Sequence, residues 1–308
     1  MDDKRINARK LWAKNRFQME SENLKSKRYG GKTHHHWYFF LSVLSVFKWL
    51  LKMTGLYNRG VRNANEIVIT KRELFFKDLP KSFDGFSIVH LSDLHIENHL
   101  GLEQNVIYLL KNTSIDLCVL TGDYQVGLHS SMAKSMPRMS KLIDNLNSKY
   151  GFTGVLVNHD SCLMVQGLED IGINMLINEN QWIDNGFDKI QIIGTDDVYY
   201  YFTEDCTKAL KSANKGFTIA LVHSPEVFDE AEALGSNLYL CGHTHAGQIC
   251  LPGGIALIKH LNHGKKYYKG LWKYKEMLGI TSSGVGTSGI PIRFNTKAEV
   301  VHITLRCS

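Results

Sequence analysis

Five short runs of apolar, largely branched residues punctuate the chain: Phe86–Leu91, Asp116–Leu120, Thr153–Val157, Phe217–Val222 and Asn237–Cys241. Each is too short for an ordinary helix, and together they predict strands buried on both faces, as in a largely parallel sheet. Stretches with helical spacing lie between them, near 102–112, 132–148, 205–213 and 225–234, and predict crossover helices. Two later runs, near 278–283 and 298–305, have the alternation of antiparallel strands. Strand and helix in turn imply an α/β fold, and the antiparallel additions make it two stacked mixed sheets flanked by helices. No internal repeat and no low-complexity linker interrupts this part of the chain.

Directly after each of the five strand runs stands a cluster of metal-ligating residue types. In order these are Asp93-Leu94-His95, Gly122-Asp123, Asn158-His159-Asp160, His223 and Gly242-His243-Thr244-His245. In open α/β sheets ligands bind at the carboxyl ends of the strands, so residues far apart in sequence converge there. A pair of divalent ions needs imidazole, carbonyl and carboxylate donors, with one carboxylate shared to offset the repulsion between the ions. This chain supplies all three kinds. A lone Asp-x-His or Gly-His-x-His would more often be a turn or a helix start, but five clusters in order on strand ends point to phosphate-ester chemistry at two metals. His159 follows a candidate ligand and is read as a catalytic residue: its imidazolium can stabilise phosphoryl charge and protonate the leaving oxygen, with Asp160 orienting it.

The ordered series Asp-x-His, Gly-Asp, Asn-His-Asp, His and Gly-His-x-His resembles the calcineurin-like metallophosphoesterases over residues 60 to 308. Within that family, Asp196-Asp197 after Gly194-Thr195, the segment 245–249 with Leu251-Pro252, and the segment 286–294 resemble the bacterial membrane-associated YkuE-like branch. That branch includes enzymes that cleave the pyrophosphate of UDP-2,3-diacylglucosamine in lipid A synthesis. The resemblance implies a four-layer sandwich and two divalent ions, with manganese favoured and zinc or iron acceptable to the same ligands. It implies that Asp93, His95 and His245 hold one ion, that Asn158, His223 and His243 hold the other, and that Asp123 bridges. Two positions depart from the pattern: Val157 and Ala246 stand where glycine is usual, and Val157, being β-branched, is the more serious departure if its backbone needs a positive φ. Asp197, Lys266 and Arg293 are candidates for substrate contact, with a turn cap as the alternative for Asp196 and Asp197.

Charge divides the chain differently. Residues 1–36 carry ten Lys and Arg against four Asp and Glu, so the formal +6 of the 308-residue protein lies in this arm and the remainder is neutral. The arm is poor in large apolar residues and is expected to be disordered, or a fluctuating helix, unless something binds it. Anionic phospholipid is the partner expected from its charge. The neutral catalytic part gives nucleic acid little support as a partner.

Residues 37–59 follow as an apolar stretch interrupted by Lys48. Ser42, Ser45, Lys48, Lys52 and Arg59 fall on one helical stripe, which predicts an amphipathic helix lying in the membrane plane. A span would bury a lysine at a cost of about 2.5–3.5 kcal/mol. The domain expectation is therefore an arm at 1–36, a membrane-associating helix at 37–59 and a catalytic domain at 60–308.

Six cysteines without a pairing pattern fit reduced thiols, and with them a peripheral enzyme on the cytoplasmic face of a bacterial inner membrane. Between 259 and 276, six lysines interleave with Tyr267, Tyr268, Trp272 and Tyr274. The segment reads equally as a binder of nucleotide or headgroups and as an exposed hairpin. His90, His99, His129 and His302 match no motif and are expected to lack chemical roles. The leading expectation is hydrolysis of UDP-2,3-diacylglucosamine to the lipid 1-phosphate and UMP. A membrane-anchored phosphodiesterase or phosphatase of broad specificity, and a non-catalytic membrane scaffold, are the alternatives.

Overall fold

A computed structural model describes the backbone of residues 3–22, 24–27, 31–34, 37–128, 130–213 and 216–308, with side chains for 5–22, 44–128, 130–213 and 216–308. His129 and the side chain of Ser42 lie outside the described residues.

Twelve strands form the two main sheets: β1 (Ile67–Phe76), β2 (Ser87–Leu91), β3 (Leu117–Leu120), β4 (Phe152–Gly154), β5 (Ile173–Met175), β6 (Glu179–Asp184), β7 (Lys189–Gly194), β8 (Thr218–Leu221), β9 (Leu238–Cys241), β10 (Gly270–Tyr274), β11 (Met277–Thr281) and β12 (Ala298–Cys307). The first sheet has the order β1-β12-β2-β3-β4-β5 and the second β10-β11-β9-β8-β7-β6. Strands β2 to β5 run parallel to one another, as do β7, β8, β9 and β11. The antiparallel neighbours are β12 on β2, β10 on β11 and β6 on β7.

Alternation along each strand explains the layers. Ile88, Leu117, Val119 and Ile303 of the first sheet meet Ile192, Ile219, Leu221 and Leu240 of the second in a core between the sheets. The other face of the first sheet, with Val89, Leu91 and Leu120, packs under Leu102, Val106, Met139 and Leu142. Ala220, Val222 and Tyr239 of the second sheet pack under Cys206, Leu210, Phe228 and Ala231. The result is the expected mixed α/β sandwich of helix, sheet, sheet and helix.

Eight helices accompany the sheets among the described residues: α1 (Asp3–Ser21), α2 (Trp37–Met53), α3 (Leu56–Asn65), α4 (Leu102–Leu110), α5 (Met132–Asp144), α6 (Met164–Asp170), α7 (Glu204–Leu210) and α8 (Phe228–Ala233). The four expected crossovers correspond to α4, α5, α7 and α8. Seven-residue α6, with Gly167 inside it, carries too little periodicity to be read from sequence. Strand β6 is half-exposed and polar, and β10 lies in the lysine-rich segment with only Trp272 fully inward, so neither shows an apolar run.

Two corrections concern the N-terminal segment. The expected single helix over 37–59 is two helices, α2 and α3, broken at Gly55, whose φ of 71° suits glycine and ends the first helix. Within the arm expected to be disordered, or a fluctuating helix, unless something binds it, Asp3–Ser21 form a 19-residue helix. Its basic side chains meet acids of the same chain: Arg5 and Arg9 pair with Glu179, Arg9 with Glu169, and Arg16 with Asp196. Three of the arm's ten basic residues, Arg5, Arg9 and Arg16, are thus matched by acids of the catalytic domain. No helix among the described residues is long and apolar enough to cross a membrane.

Candidate two-metal site

Parallel strands end together, so the loops after β2, β3, β4, β8 and β9 converge along one edge of the sandwich. All seven expected ligands are found in them, and all are buried. Asp93, His95, Asp123 and His245 form one group whose donor atoms lie within 4.8 Å of one another. His245 Nε2 stands 3.3 Å from Asp93 Oδ1, and His95 Nε2 and His245 Nε2 face each other at 3.2 Å. Asp123 Oδ2 lies 3.4 Å from His95 Nε2 and 3.4 Å from His223 Nε2, so this one carboxylate looks toward both sets of imidazoles. The His243 ring completes the second set at 5.0 Å from that of His223.

The rings are fixed by their other nitrogens. His95 Nδ1 hydrogen-bonds the carbonyl of Gln125 at 2.8 Å, His223 Nδ1 that of Thr121 at 2.7 Å, and His243 Nε2 that of His260 at 3.2 Å. In the neutral form of these rings the remaining nitrogens are then lone pairs turned toward the site, the arrangement that metal-binding histidines adopt. Asn158 Oδ1 and His223 Nε2 are buried without a hydrogen bond among the described residues. Buried polar atoms are seldom left so, and two at the positions expected to ligate fit a divalent cation.

Backbone strain marks the same residues. Asp93, His95, Asp123, His243 and His245 all have positive φ, between 37° and 72°. Non-glycine residues there cost on the order of 1–3 kcal/mol each and persist where the surroundings impose them. Close approach is the reason. His243 N–H donates to both oxygens of Asp93, and a Cβ on Gly242 would lie 2.1 Å from Asp93 Oδ2.

Electrostatics follow from burying two aspartates among four imidazoles. Burial opposes charge on His223, but Asp123, then Asp93, outweigh it and raise its pKa to about 10. His95 is raised against the same burial by Asp123 and Asp93. Burial lowers His243, helped by the charge of His223, and lowers His245, helped by that of His95. Asp123 is held well below the ordinary carboxylate range by the imidazoles, against its burial.

The sequence profile of the family described as calcineurin-like phosphoesterase matches residues 86–247, which contain every one of these ligands. The chain belongs to the calcineurin-like phosphoesterases. It is 30% identical over 241 residues to the uncharacterised metallophosphoesterase YkuE of Bacillus subtilis, a match covering 74% of this chain and 82% of that protein. It is 28% identical to a protein named phosphodiesterase YaeI of Escherichia coli, over 77% of this chain and 87% of the relative. A zebrafish (Danio rerio) protein named as a transmembrane protein with metallophosphoesterase domain is 28% identical over 76% of this chain and 56% of its own length. This phosphoesterase is accordingly a metal-dependent hydrolase.

The remaining expected residues have different fates. His159 is half-buried, its ring edge-on to His95 at 5.3 Å. Asp160, expected to orient it, instead accepts the backbone N–H groups of Asp123 and Tyr124 at 2.9 Å and of Gln125 at 3.4 Å. It braces the loop carrying Asp123; burial and the charge of Asp123 push its pKa up to about 8, against the N–H donors that favour its anion. Asp197 caps a turn, accepting from the N–H groups of Tyr199, Tyr200 and Tyr201. Arg293 is corrected outright as a phosphate contact. It is 0% exposed, and its guanidinium donates to the carbonyls of Ser283, Gly284 and Gly286, of His245 and of Lys297, stapling the loop after β11 to the site. Lys266 is exposed, 4.8 Å from the ring of its neighbour Tyr267. Tyr267 and Trp272 of the lysine-rich segment are buried under the second sheet, so that part of its aromatic content is core.

The order of concern about the two departures is reversed. Val157 keeps a negative φ and packs between the sheets, while Ala246 holds φ 50°. The sequence also hid a polar chain behind the site: His90 Nε2 bonds Thr121 Oγ1, Thr121 donates to Ser92, and Ser92 donates to Asp93 Oδ2 at 2.6 Å. Ser92 and Thr121 adjoin ligand motifs, which is the one signal that could have found them.

Proposed function

We propose that this phosphoesterase cleaves a lipid-linked pyrophosphate at a membrane surface, with UDP-2,3-diacylglucosamine of the lipid A pathway as the leading substrate. The observation that carries the membrane reading is the second apolar face of α2. One face, with Leu44, Phe47 and Leu51, packs on Ile249, Ile290, Ile292 and Phe294. A second face leaves Val46, Trp49, Leu50 and Met53 exposed, Met53 by 69%. The strand pair that continues from Ile249, Cys250–Leu251 with Ile255–Ala256, adds exposed Leu251, Ile255, Leu257 and Ile258. Exposed apolar side chains on elements anchored to one cluster, beside Lys48 and Lys52, suit the acyl boundary of a bilayer. That cluster adjoins the loop stapled by Arg293, whose guanidinium also reaches His245. A headgroup at the surface would therefore lie near the ligands. Free buried thiols agree with a cytoplasmic-face location.

Two divalent ions, manganese by preference and zinc or iron by ligand type, would supply Lewis acidity at the phosphoryl oxygens and lower the pKa of water. Asp93, His95 and His245 would hold one, Asn158, His223 and His243 the other, with Asp123 shared. His159 would hold the proton given to the leaving oxygen. Lys266 remains a candidate for nucleotide phosphate, since its segment docks on the ligand loop through Thr244 Oγ1 and the carbonyl of Tyr268 at 2.6 Å. A non-catalytic scaffold loses its one support, because Val157 has ordinary backbone geometry.

The test is hydrolysis of UDP-2,3-diacylglucosamine by detergent-purified protein with manganese, beside the Asp123→Ala variant and a soluble chromogenic diester. UMP release by the parent and not the variant is expected. Cleavage of the soluble diester alone would overturn the lipid substrate and leave an anchored general phosphodiesterase.

A further inference from the structure

Helix α1 is fastened to the catalytic domain chiefly by charged side chains, and the grip is uneven along its length. Arg5, toward its start, is more than a third exposed and pairs with Glu179, away from the ligands. Arg16, one turn before its end, is 2% exposed. One nitrogen of the Arg16 guanidinium donates to the carboxylate of Asp196. The other terminal nitrogen donates to the carbonyl of Val157 at 2.7 Å and to that of Asp160 at 3.3 Å. Its Nε faces Glu20 Oε1 at 3.0 Å, and the guanidinium carbon lies 3.8 Å from the centroid of the Tyr201 ring. Glu20 continues the contact, accepting from the N–H of Cys162 and the hydroxyl of Ser161, both at 2.9 Å.

These bonds bracket one loop. Val157 precedes Asn158, and Asp160, Ser161 and Cys162 follow His159, so α1 holds the main chain on both sides of a candidate ligand and the candidate acid. Asp160 passes the constraint on, because its carboxylate accepts the N–H of Asp123. A buried guanidinium is costly to desolvate unless every donor finds a partner. A cation needed only to dock a helix could pair with acids away from the ligands, as Arg5 does with Glu179 and Arg9 with Glu169 and Glu179. Arg16 instead gives one terminal nitrogen to the carbonyls of Val157 and Asp160, which bracket Asn158 and His159, while the other holds Asp196, a division that a planar fork allows and a point charge does not.

We infer that Arg16 is a positioning residue for the Asn158 side of the site, and that α1 is part of the active-site architecture. The inference rests on the two-ion reading but not on the substrate. It is tested by titrating full-length parent, Arg16→Ala, Arg16→Lys and Arg5→Ala with Mn2+, reading free ion by electron paramagnetic resonance, with circular-dichroism melts alongside. Expected are two ions in the parent and an affinity for the second about 10–100-fold weaker in Arg16→Ala, the effect usual for residues that orient ligands. Arg16→Lys should recover only part of the loss, and Arg5→Ala should bind both ions like the parent.

Parent-like binding in Arg16→Ala, or an equal loss in Arg5→Ala, would overturn the assignment. Should Arg16→Ala lack a cooperative melt, Arg16→Lys decides. Lysine keeps a charge opposite Asp196 but cannot also reach Glu20 and the Val157 carbonyl, so a weakened second ion upholds the role and parent-like affinity ends it. A parent that shows the Arg16 dependence yet cleaves no phosphoester would sink the functional reading and leave this one standing. A parent that binds fewer than two ions would sink both.

Discussion

The two sheets deliver unlike halves of the site. The first contributes Asp93, His95, Asp123 and Asn158, so both carboxylates among the ligands belong to it. The second contributes only imidazoles, His223, His243 and His245. Against its burial, Asp123 and Asp93 from the first sheet, with a smaller contribution from Asp197 after β7, raise the pKa of His223 to about 10. The difference teaches that the metal-free edge is a clasp of imidazolium against carboxylate, and that divalent cations would take over a charge-balancing task that protons perform in their absence.

The largest effect should come from removing the carboxylate that faces both halves. Asp123→Ala is expected to lose at least about 10²–10³-fold in diester hydrolysis, from the several kcal/mol that metal catalysis supplies. Elemental analysis should show neither ion retained in full. His223→Ala removes one imidazole from the second half and should cost less, about 10–100-fold, with one ion kept and one lost. If His223→Ala loaded both ions, or Asp123→Ala kept its activity, the division of labour between the sheets would be wrong.

How much of this was legible depends on what kind of force placed each residue. The five motifs could be read because parallel strands buried on both faces leave short apolar runs, and the ligands stand directly after them. Sheet count and the four crossover helices were legible for the same reason, whereas β1, β5, β6, β7 and β10 were not read: β1, β5, β6 and β10 are edge strands that answer to one neighbour, and β7 breaks its apolar run with Lys189 and Gln191. Arg16 and Glu20 were illegible. A basic arm looks alike whether it meets lipid or the acids of its own domain, and Glu179 and Asp196 lie more than 160 residues away. Arg293 was misread because an arginine beside a metal motif suggests phosphate, and only its depth and its five carbonyl partners show a staple.

Next in size is a dependence on pH that the clasp predicts for the metal-free protein. The folded-state pKa of His223 is raised above the unfolded value of about 6.5, to about 10. Its contribution is therefore complete below about 6.5 and is lost as pH rises through about 10. His90, buried and lowered to about 3, works the other way, losing stability as pH falls from about 6.5 toward 3. Metal-free protein should therefore melt several degrees lower at pH 10 than at pH 6.5, at roughly 2–4 °C per kcal/mol. Saturating manganese should remove the alkaline loss, since a ligating His223 holds no proton to release. An alkaline fall of equal size with and without the ion would show that His223 is not the group responsible.

The smallest expected effect sharpens the comparison at the two positions where the family has glycine. Val157, from the first sheet, has a negative φ and a side chain buried between the sheets, so Val157→Gly should destabilise by about 2–3 kcal/mol through lost burial and added chain entropy. Ala246, from the second, sits at φ 50° inside the His245–Gly247 turn. Left-handed backbone costs an alanine about 1–2 kcal/mol, while glycine brings an entropic penalty of about 0.5–1 kcal/mol. The two nearly cancel, so Ala246→Gly should raise stability by no more than about 1 kcal/mol, a shift of about 2–4 °C or less. The opposite signs of the two glycine substitutions, read from paired thermal melts, are the informative result. A stabilising Val157→Gly would mean that the loop carrying Asn158 is strained like the loop carrying His245, and the contrast between these two loops would not hold.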